Sequence, residues 1–424
     1  MGEIAMHLFK WIIFLCVLSW FSNSSTNGIS STSKHLSEIR KRMNYHKKHA
    51  VKSIQSEDGD IIDCIDIYKQ PAFDHPALRN HIIQMSPSDE TTMDSKAVSN
   101  KSTMDENPNM MLTSQVWRKN GSCPIGTIPI RRILEKQIRN HRLSEEYGRK
   151  GPSFPYQINK PNDNGDSNNI NVNRSLAILH TEGLNYNAAK ADVKVWKPYV
   201  EHDDEYSTSR IALKTGPYYE YDSIEAGCIV NPSVYGDREV RIYIYWTIDG
   251  SKTTGCFDLI CPGFVQTSNE IALGGVLRSI PVPGGIPWIM TLYMHKDVET
   301  NNWWVQYQED INIGYWPADV LKGLSVTAET VQWGGEVYSS RIGHPGHTRT
   351  EMGSGELGAP DPRSGWTKRM RVRDNSMVLK YPDWVTRYSD DYDCYPTYFL
   401  WEYMVDPEFY FGGPGKGWES WRCT

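Results

Sequence analysis

The sequence predicts a mainly β protein, with a long antiparallel sandwich or barrel preceded by a small α+β unit. Three observations carry this. Aromatic residues reach 12% of the 424 residues, with 15 Trp and 24 Tyr, and such side chains favour strands. Gly and Pro, at 33 and 24, supply the turns that many short strands need. From Leu176 onward, short alternating runs recur between turn signals, the pattern of an antiparallel architecture.

In chain order, Trp11 to Phe21 is an apolar run after Lys10, followed by Ser22, Asn23, Ser24 and Ser25. About a dozen apolar residues are too few to span a bilayer and match a secretory signal peptide, so residues 1–25 are assigned as one. Residues 26–59 are polar and basic and read as an exposed arm. Ile61, Ile62, Ile65 and Ile67 surround Cys64 in a strand-like run. The stretch 86–109 has no apolar period and reads as a loop. Ile128, Ile130, Ile133, Leu134 and Ile138 are expected to line a helix after Pro129. Residues 60–147 form the small unit. The segment 148–175, rich in Gly, Pro, Asn, Asp and Ser, reads as a mobile linker and a natural processing site.

Residues 176–424 form the β domain. Expected strands include Val240 to Thr247, Trp288 to His295, Trp303 to Tyr307, Val326 to Trp333, Met370 to Val372 and Met377 to Tyr381, with one short helix after Pro317. Asp249-Gly250, Pro283-Gly284-Gly285 and Asn301-Asn302 supply turns between them.

The formal net charge of −6 gives no basic bias, which excludes a nucleic-acid binder on charge grounds. Outside the signal there are seven cysteines, an odd number for a secreted chain. Cys64 and Cys123 flank the small unit and are expected to pair. Cys256 and Cys261 close a small loop, and Cys394 and Cys423 staple the C-terminal tail, which leaves Cys228 unpaired. Asn100, Asn120 and Asn173 lie in glycosylation sequons.

No G-x-S-x-G or H-E-x-x-H motif is present. His344 and His347 lie three apart with nothing nearby to complete a metal site, so no metal and no cofactor are expected. Two carboxylates have unusual surroundings. On a strand, Glu225 would share a face with Gly227 and Ile229, where the glycine leaves open space. Glu336 follows Trp333-Gly334-Gly335, where the glycines allow close approach and the Trp offers an apolar wall. An apolar wall raises a carboxyl pKa, so two such groups could divide the roles of acid and base.

Residues 60–88 (DIIDCIDIYKQPAFDHPALRNHIIQMSPS) with 123–132 (CPIGTIPIRR) resemble the neprosin activation peptide. The stretches IEAGCIVNPSVYGD, YWTIDGSKTTGCFDLICPGFVQTSNEIALGG, NWWVQYQEDINIGYWPADV and VQWGGEVYSS resemble the neprosin catalytic domain. The resemblance covers about residues 60 to 405. It implies a plant glutamic peptidase of the prolyl endopeptidase type, with a β-sandwich catalytic domain, working in acid and made as an inactive precursor. Its catalytic pair would be Glu225 and Glu336, drawn from facing sheets. The resemblance also implies the pairs Cys256–Cys261 and Cys394–Cys423. Two departures stand out: Cys228 occupies a position where the family has Trp, and the tail carries the Gly/Trp-rich FYFGGPGKGWESW.

The expected function is therefore a secreted endopeptidase precursor, extracellular, in the cell wall or in the vacuole, cleaving proline-containing peptides and inhibited by its own propeptide. Gln266, Tyr243 and Tyr245 are helper residues in this reading, as oxyanion donors or orienting groups. Trp246, Trp333 and Tyr338 could wall a substrate proline ring. The competing readings are an inactive sandwich that binds cell-wall or glycan components, raised by Cys228, and a glycoside hydrolase with two carboxylates.

Overall fold

The computed structural model describes residues 37–88, 115–139, 147–151, 173–217, 219–277, 288–343, 346–402, 406–416 and 423. The signal run, Asn100, His344 and most of the linker lie outside them.

The first unit is a three-stranded antiparallel sheet of β1 (Lys52–Gln55), β2 (Ile61–Asp66) and β3 (Thr127–Arg131). Cys64 and Cys123 are disulfide-bonded beneath it, in a cluster with Ile54, Ile62 and Trp117. The basic arm is not simply solvated. It forms a helix over 37–49 and contributes β1, and Ile39 on that helix packs on Ile138 and Tyr147. Nor does a helix follow Pro129. That proline lies inside β3, and the helix is only Glu135–Arg139. Pairing with β2 and burial of β-branched Ile128 and Ile130 in the main core favoured a strand over the helical period.

Two stacked antiparallel sheets form the second unit. The strands are β4 (Arg174–Tyr186), β5 (Ala188–Lys194), β6 (Tyr206–Thr215), β7 (Asp222–Val230), β8 (Arg241–Thr247), β9 (Cys256–Phe257), β10 (Val265–Gln266), β11 (Ile289–Lys296), β12 (Trp303–Tyr307), β13 (Ile311–Trp316), β14 (Ala328–Tyr338), β15 (Gly365–Arg373), β16 (Leu379–Lys380), β17 (Thr386–Ser389), β18 (Thr397–Leu400) and β19 (Glu408–Phe411). One sheet has the order β17-β4-β14-β6-β7-β8-β9; the other runs β10-β13-β12-β11-β5-β15-β19-β18, with β16 beside β15. The expected helix after Pro317 is a single 3-10 turn, Ala318–Val320.

Period-two alternation decides what lies between the sheets. From the seven-stranded sheet, Ile211, Leu213, Ile224, Ala226, Cys228, Ile242, Ile244, Trp246, Val331 and Trp333 point inward. They join Leu292, Trp303, Trp304, Trp316 and Phe409 of the other sheet in one buried core. The C-terminal tail is part of this sandwich, not an appendage: β19 pairs with both β15 and β18, and Phe409 stacks near Phe411. Cys394 and Cys423 are bonded there, and Cys256 and Cys261 are bonded beside β9. The opposite face of the seven-stranded sheet carries charged and phenolic side chains beside a small cluster with Ile229 and Phe257, and it holds the site.

Candidate active site

Both glutamates stand on the same face of the same sheet. This corrects the expectation of facing sheets. Glu225 is on β7 and Glu336 on β14, with β6 between them. The register places Glu225 opposite Ala212 and Glu336 opposite Thr208, so their side chains lean toward each other over β6. Both are almost fully buried, at 4% and 2% exposure. Strands lie about 4.8 Å apart, so two steps leave a gap that only long side chains can close.

Arg210 on β6 helps to fill that gap. Its Nη2 donates to Glu336 Oε2 at 2.9 Å, and its Nε lies 3.3 Å from Glu225 Oε2. The guanidinium fits because Gly227 lies beside it: a Cβ there would meet Ser209 O at 2.2 Å and Arg210 Cβ at 2.9 Å. The open space expected next to Glu225 is therefore occupied by an arginine. Tyr206 donates to Glu336 Oε1 at 2.6 Å, and Arg174 Nε lies 4.0 Å from the same oxygen. Tyr243 donates to Glu225 Oε2 at 3.3 Å.

The remaining partner comes from the segment read as linker. Lys150 Nζ donates to Glu225 Oε2 at 2.6 Å and to Glu336 Oε1 at 3.1 Å, with its side chain 1% exposed. The chain around it is held along the cleft. Gly148 O accepts from Phe257 N at 2.9 Å, Lys150 N donates to Tyr245 Oη at 3.3 Å, and Gly151 O accepts from Arg174. Gly148 has φ +82, and a Cβ there would lie 2.7 Å from Ile260, so only glycine fits.

These cations set the electrostatics. Burial pushes the Glu225 carboxyl up, but Arg210 and Lys150 outweigh it and hold it below the ordinary range. Burial also raises Glu336, yet Lys150, Arg210, Arg174 and the Tyr206 hydroxyl hold it well below. Burial pulls the Lys150 ammonium down while the two carboxylates pull it up, and its value stays below that of an ordinary lysine. Burial and nearby charges push the Tyr206 and Tyr243 phenols well up, so both remain hydrogen-bond donors.

The other sequence-derived residues separate. Tyr243 and Tyr245 share the face of the site, with Tyr245 bonded to Ser251 at 2.8 Å. Tyr338 is there too, stacked on Tyr206 at 5.3 Å. Trp246 and Trp333 are not walls of the site. They point into the core between the sheets, because Trp333 is an odd number of residues from Glu336 and an alternating strand puts the two on opposite faces. For the same reason no apolar wall raises the Glu336 carboxyl. Gln266 is not an oxyanion donor: it lies on β10 of the other sheet and gives its amide protons to Ser268 O and Ile271 O. Cys228 is a buried free thiol on the core face, pushed up to about 12 by burial. Asn120 is exposed and Asn173 half-buried. His347 faces Asp391 at 3.1 Å. Composition pointed to none of Lys150, Arg174, Tyr206 and Arg210.

Comparison with known proteins matches residues 203–414 to the neprosin domain and residues 53–176 to the neprosin activation peptide. The chain belongs to the neprosin family. It is a glutamic-type peptidase precursor that carries its own activation peptide. The neprosin activation-peptide match contains Lys150 and all but the first residue of the three-stranded sheet, and the neprosin-domain match contains both glutamates.

Among solved structures, the chain is similar to Scytalido-glutamic peptidase with a peptide-based transition state analog, at 10% identity and TM-score 0.29, over 57% of this chain and 98% of that one. It is also similar to SCP-B, a member of the Eqolisin family of peptidases, in complex with the tripeptide Ala-Ile-His, at 9% identity and TM-score 0.30, over 56% of this chain and 96% of that one. At these scores the likeness adds nothing to the family assignment.

Proposed function

We propose that this neprosin-family precursor is secreted and, once processed, hydrolyses peptide bonds after proline in acid, with Glu225 and Glu336 activating water. The observation that carries this is the shared ammonium. One small group lies 2.6 Å from one carboxylate and 3.1 Å from the other, so the pair is spaced to hold a single water. Lys150 occupies that place in the precursor.

The division of labour follows from the partners left when Lys150 departs. Glu336 keeps Arg210, Arg174 and the Tyr206 hydroxyl, which favour its ionised form, so it acts as base. Glu225 keeps Tyr243, one edge of Arg210 and the more distant Lys214 charge, a weaker set than that of Glu336; it holds the proton and donates it to the leaving nitrogen. Positioned acid–base catalysis of this kind contributes roughly 10²–10⁴-fold. The residues that hold the chain at 148–151, Tyr245 and Arg174 among them, would hold a substrate backbone in the same cleft.

Acid has a second role. The precursor's two carboxyls are held low by Lys150, so the closed state is favoured at neutral pH and loses that support as pH falls through the lowered values. The alternative of an inactive glycan binder drew on Cys228, which faces the core and not the cleft.

The test is to acidify the full-length protein and digest a peptide library read by mass spectrometry. Cleavage after proline is expected, with Glu225→Gln and Glu336→Gln each inactive yet folded. Full activity in either variant removes that residue from the mechanism.

A further inference from the structure

The floor of the cleft continues past the two glutamates along β6, where Tyr206, Thr208, Arg210, Ala212 and Lys214 project from one face. Lys214 stands opposite Thr330 on β14 and Ser223 on β7, one step beyond Glu225 and away from Tyr206. Ala212, opposite Glu225, contributes only a methyl, so nothing large separates Glu225 from Lys214. The lysine is half-buried, and its ammonium lies 4.7 Å from the centre of the Tyr221 ring. Among the described residues it makes no hydrogen bond and no ion pair, unlike Lys150, Arg174 and Arg210. The Ser223 hydroxyl beside it is buried and also without a partner. A half-buried cation and an unsatisfied hydroxyl next to a reaction centre are groups awaiting a ligand.

The charge balance says which kind. With Lys150 withdrawn, the floor holds Arg174, Arg210 and Lys214 against Glu225 and Glu336. One of those glutamates carries a proton in the working state, so the floor is cationic. Burial, and then Arg210, pull the Lys214 ammonium down to about 8, which leaves it charged throughout the acid range.

From this placement we infer that Lys214 is a specificity-determining residue, anchoring a carboxylate of the peptide substrate a short distance from the scissile bond, with Ser223 as the second donor. A peptide bearing Glu or Asp at that subsite, or ending there in its C-terminal carboxylate, pairs with the ammonium; a peptide bearing Lys is repelled. The inference rests on the peptidase reading above.

The test uses enzyme activated from the full-length chain and a set of peptides with one proline. The peptides differ only in carrying Glu, Gln or Lys at each of three positions on either side of it. At about pH 5 a peptide glutamate is largely ionised. At one position, wild type is expected to favour Glu over Gln by about tenfold in kcat/KM, the scale of a charged hydrogen bond. The ratio falls to about one in Lys214→Met and in Lys214→Gln, returns in Lys214→Arg, and inverts toward Lys in Lys214→Glu. An identical Glu-to-Gln ratio in wild type, Lys214→Met and Lys214→Gln overturns the inference while leaving the peptidase reading intact. If wild type cleaves no peptide, that reading fails instead, and calorimetric binding of the Glu and Gln peptides decides this one. Tighter binding of the Glu peptide that is lost in Lys214→Met upholds it, and equal affinities overturn it.

Discussion

Replacing Lys150 by Met removes the ammonium and keeps most of the aliphatic stem. The two contacts, at 2.6 and 3.1 Å, are each worth roughly 5–6 kcal/mol gross at an effective dielectric of about 20. Desolvation of a side chain only 1% exposed, and repulsion from Arg210, offset much of this. Breaking a buried ion pair typically costs about 3–5 kcal/mol, and that is the loss expected for the closed precursor. Opening is linked to protonation of Glu225, since Glu336 stays ionised, and one proton changes stability by about 1.4 kcal/mol per pH unit. Both carboxyls are held low in the closed state, so closure is present above the ordinary carboxylate range and lost on acidification. Removing Lys150 removes a cause of that lowering, and the pH of activation rises by about two units or more. The assay incubates wild type, Lys150→Met and Lys150→Arg across a pH series. It scores the new N-terminus by mass spectrometry and the released activity on a peptide. Coincident midpoints for wild type and Lys150→Met would refute the argument that this ammonium holds the cleft shut.

Three further outcomes follow from the same geometry. Tyr206→Phe deletes the 2.6 Å hydrogen bond that helps keep Glu336 ionised, so the acid limb of the pH–rate profile moves to higher pH, with roughly a tenfold loss in rate. Asp60 bridges Arg131 of the first unit and Arg241 of the sandwich, at 3.1 and 2.5 Å. Burial raises its carboxyl, but the two arginines pull it below the ordinary range. Asp60→Asn weakens the hold of the first unit on the second, and the cleaved activation segment should elute separately from the sandwich at a higher pH than in wild type. Cys228, with its thiol pushed up to about 12, should resist alkylation in the native protein at pH 8 and react on unfolding.

Much of the architecture was legible because it obeys short-range rules. The alternation through Val240 to Thr247 gave β8, and the runs around Trp288 and Trp303 gave β11 and β12. Where local patterns competed, they misled: Ile128, Ile130, Ile133, Leu134 and Ile138 fit a helical stripe, yet pairing of Ile128 and Ile130 with β2 made a strand. Parity alone could have removed Trp333 from the site, since it is three residues from Glu336 on one strand. Arg210 left a trace as well, as a charged residue in phase with Thr208 and Ala212 and out of phase with Ile211 and Leu213. Lys150 left none. In Gly-Arg-Lys-Gly it resembles any solvated linker lysine, and its charge partners lie 75 and 186 residues away. Complementarity of that kind exists only once the chain has folded.

Because Glu225 and Glu336 ride on strands laced to a common neighbour, their spacing is fixed by a backbone ladder and needs no closing lid or hinge. Latency in such a molecule is a matter of occupancy rather than distortion: the machinery is assembled before it is needed, with a stopper in its throat. The waiting time for activity is then set by how quickly the tethered leader can leave, and chemistry can begin as soon as the space is vacated.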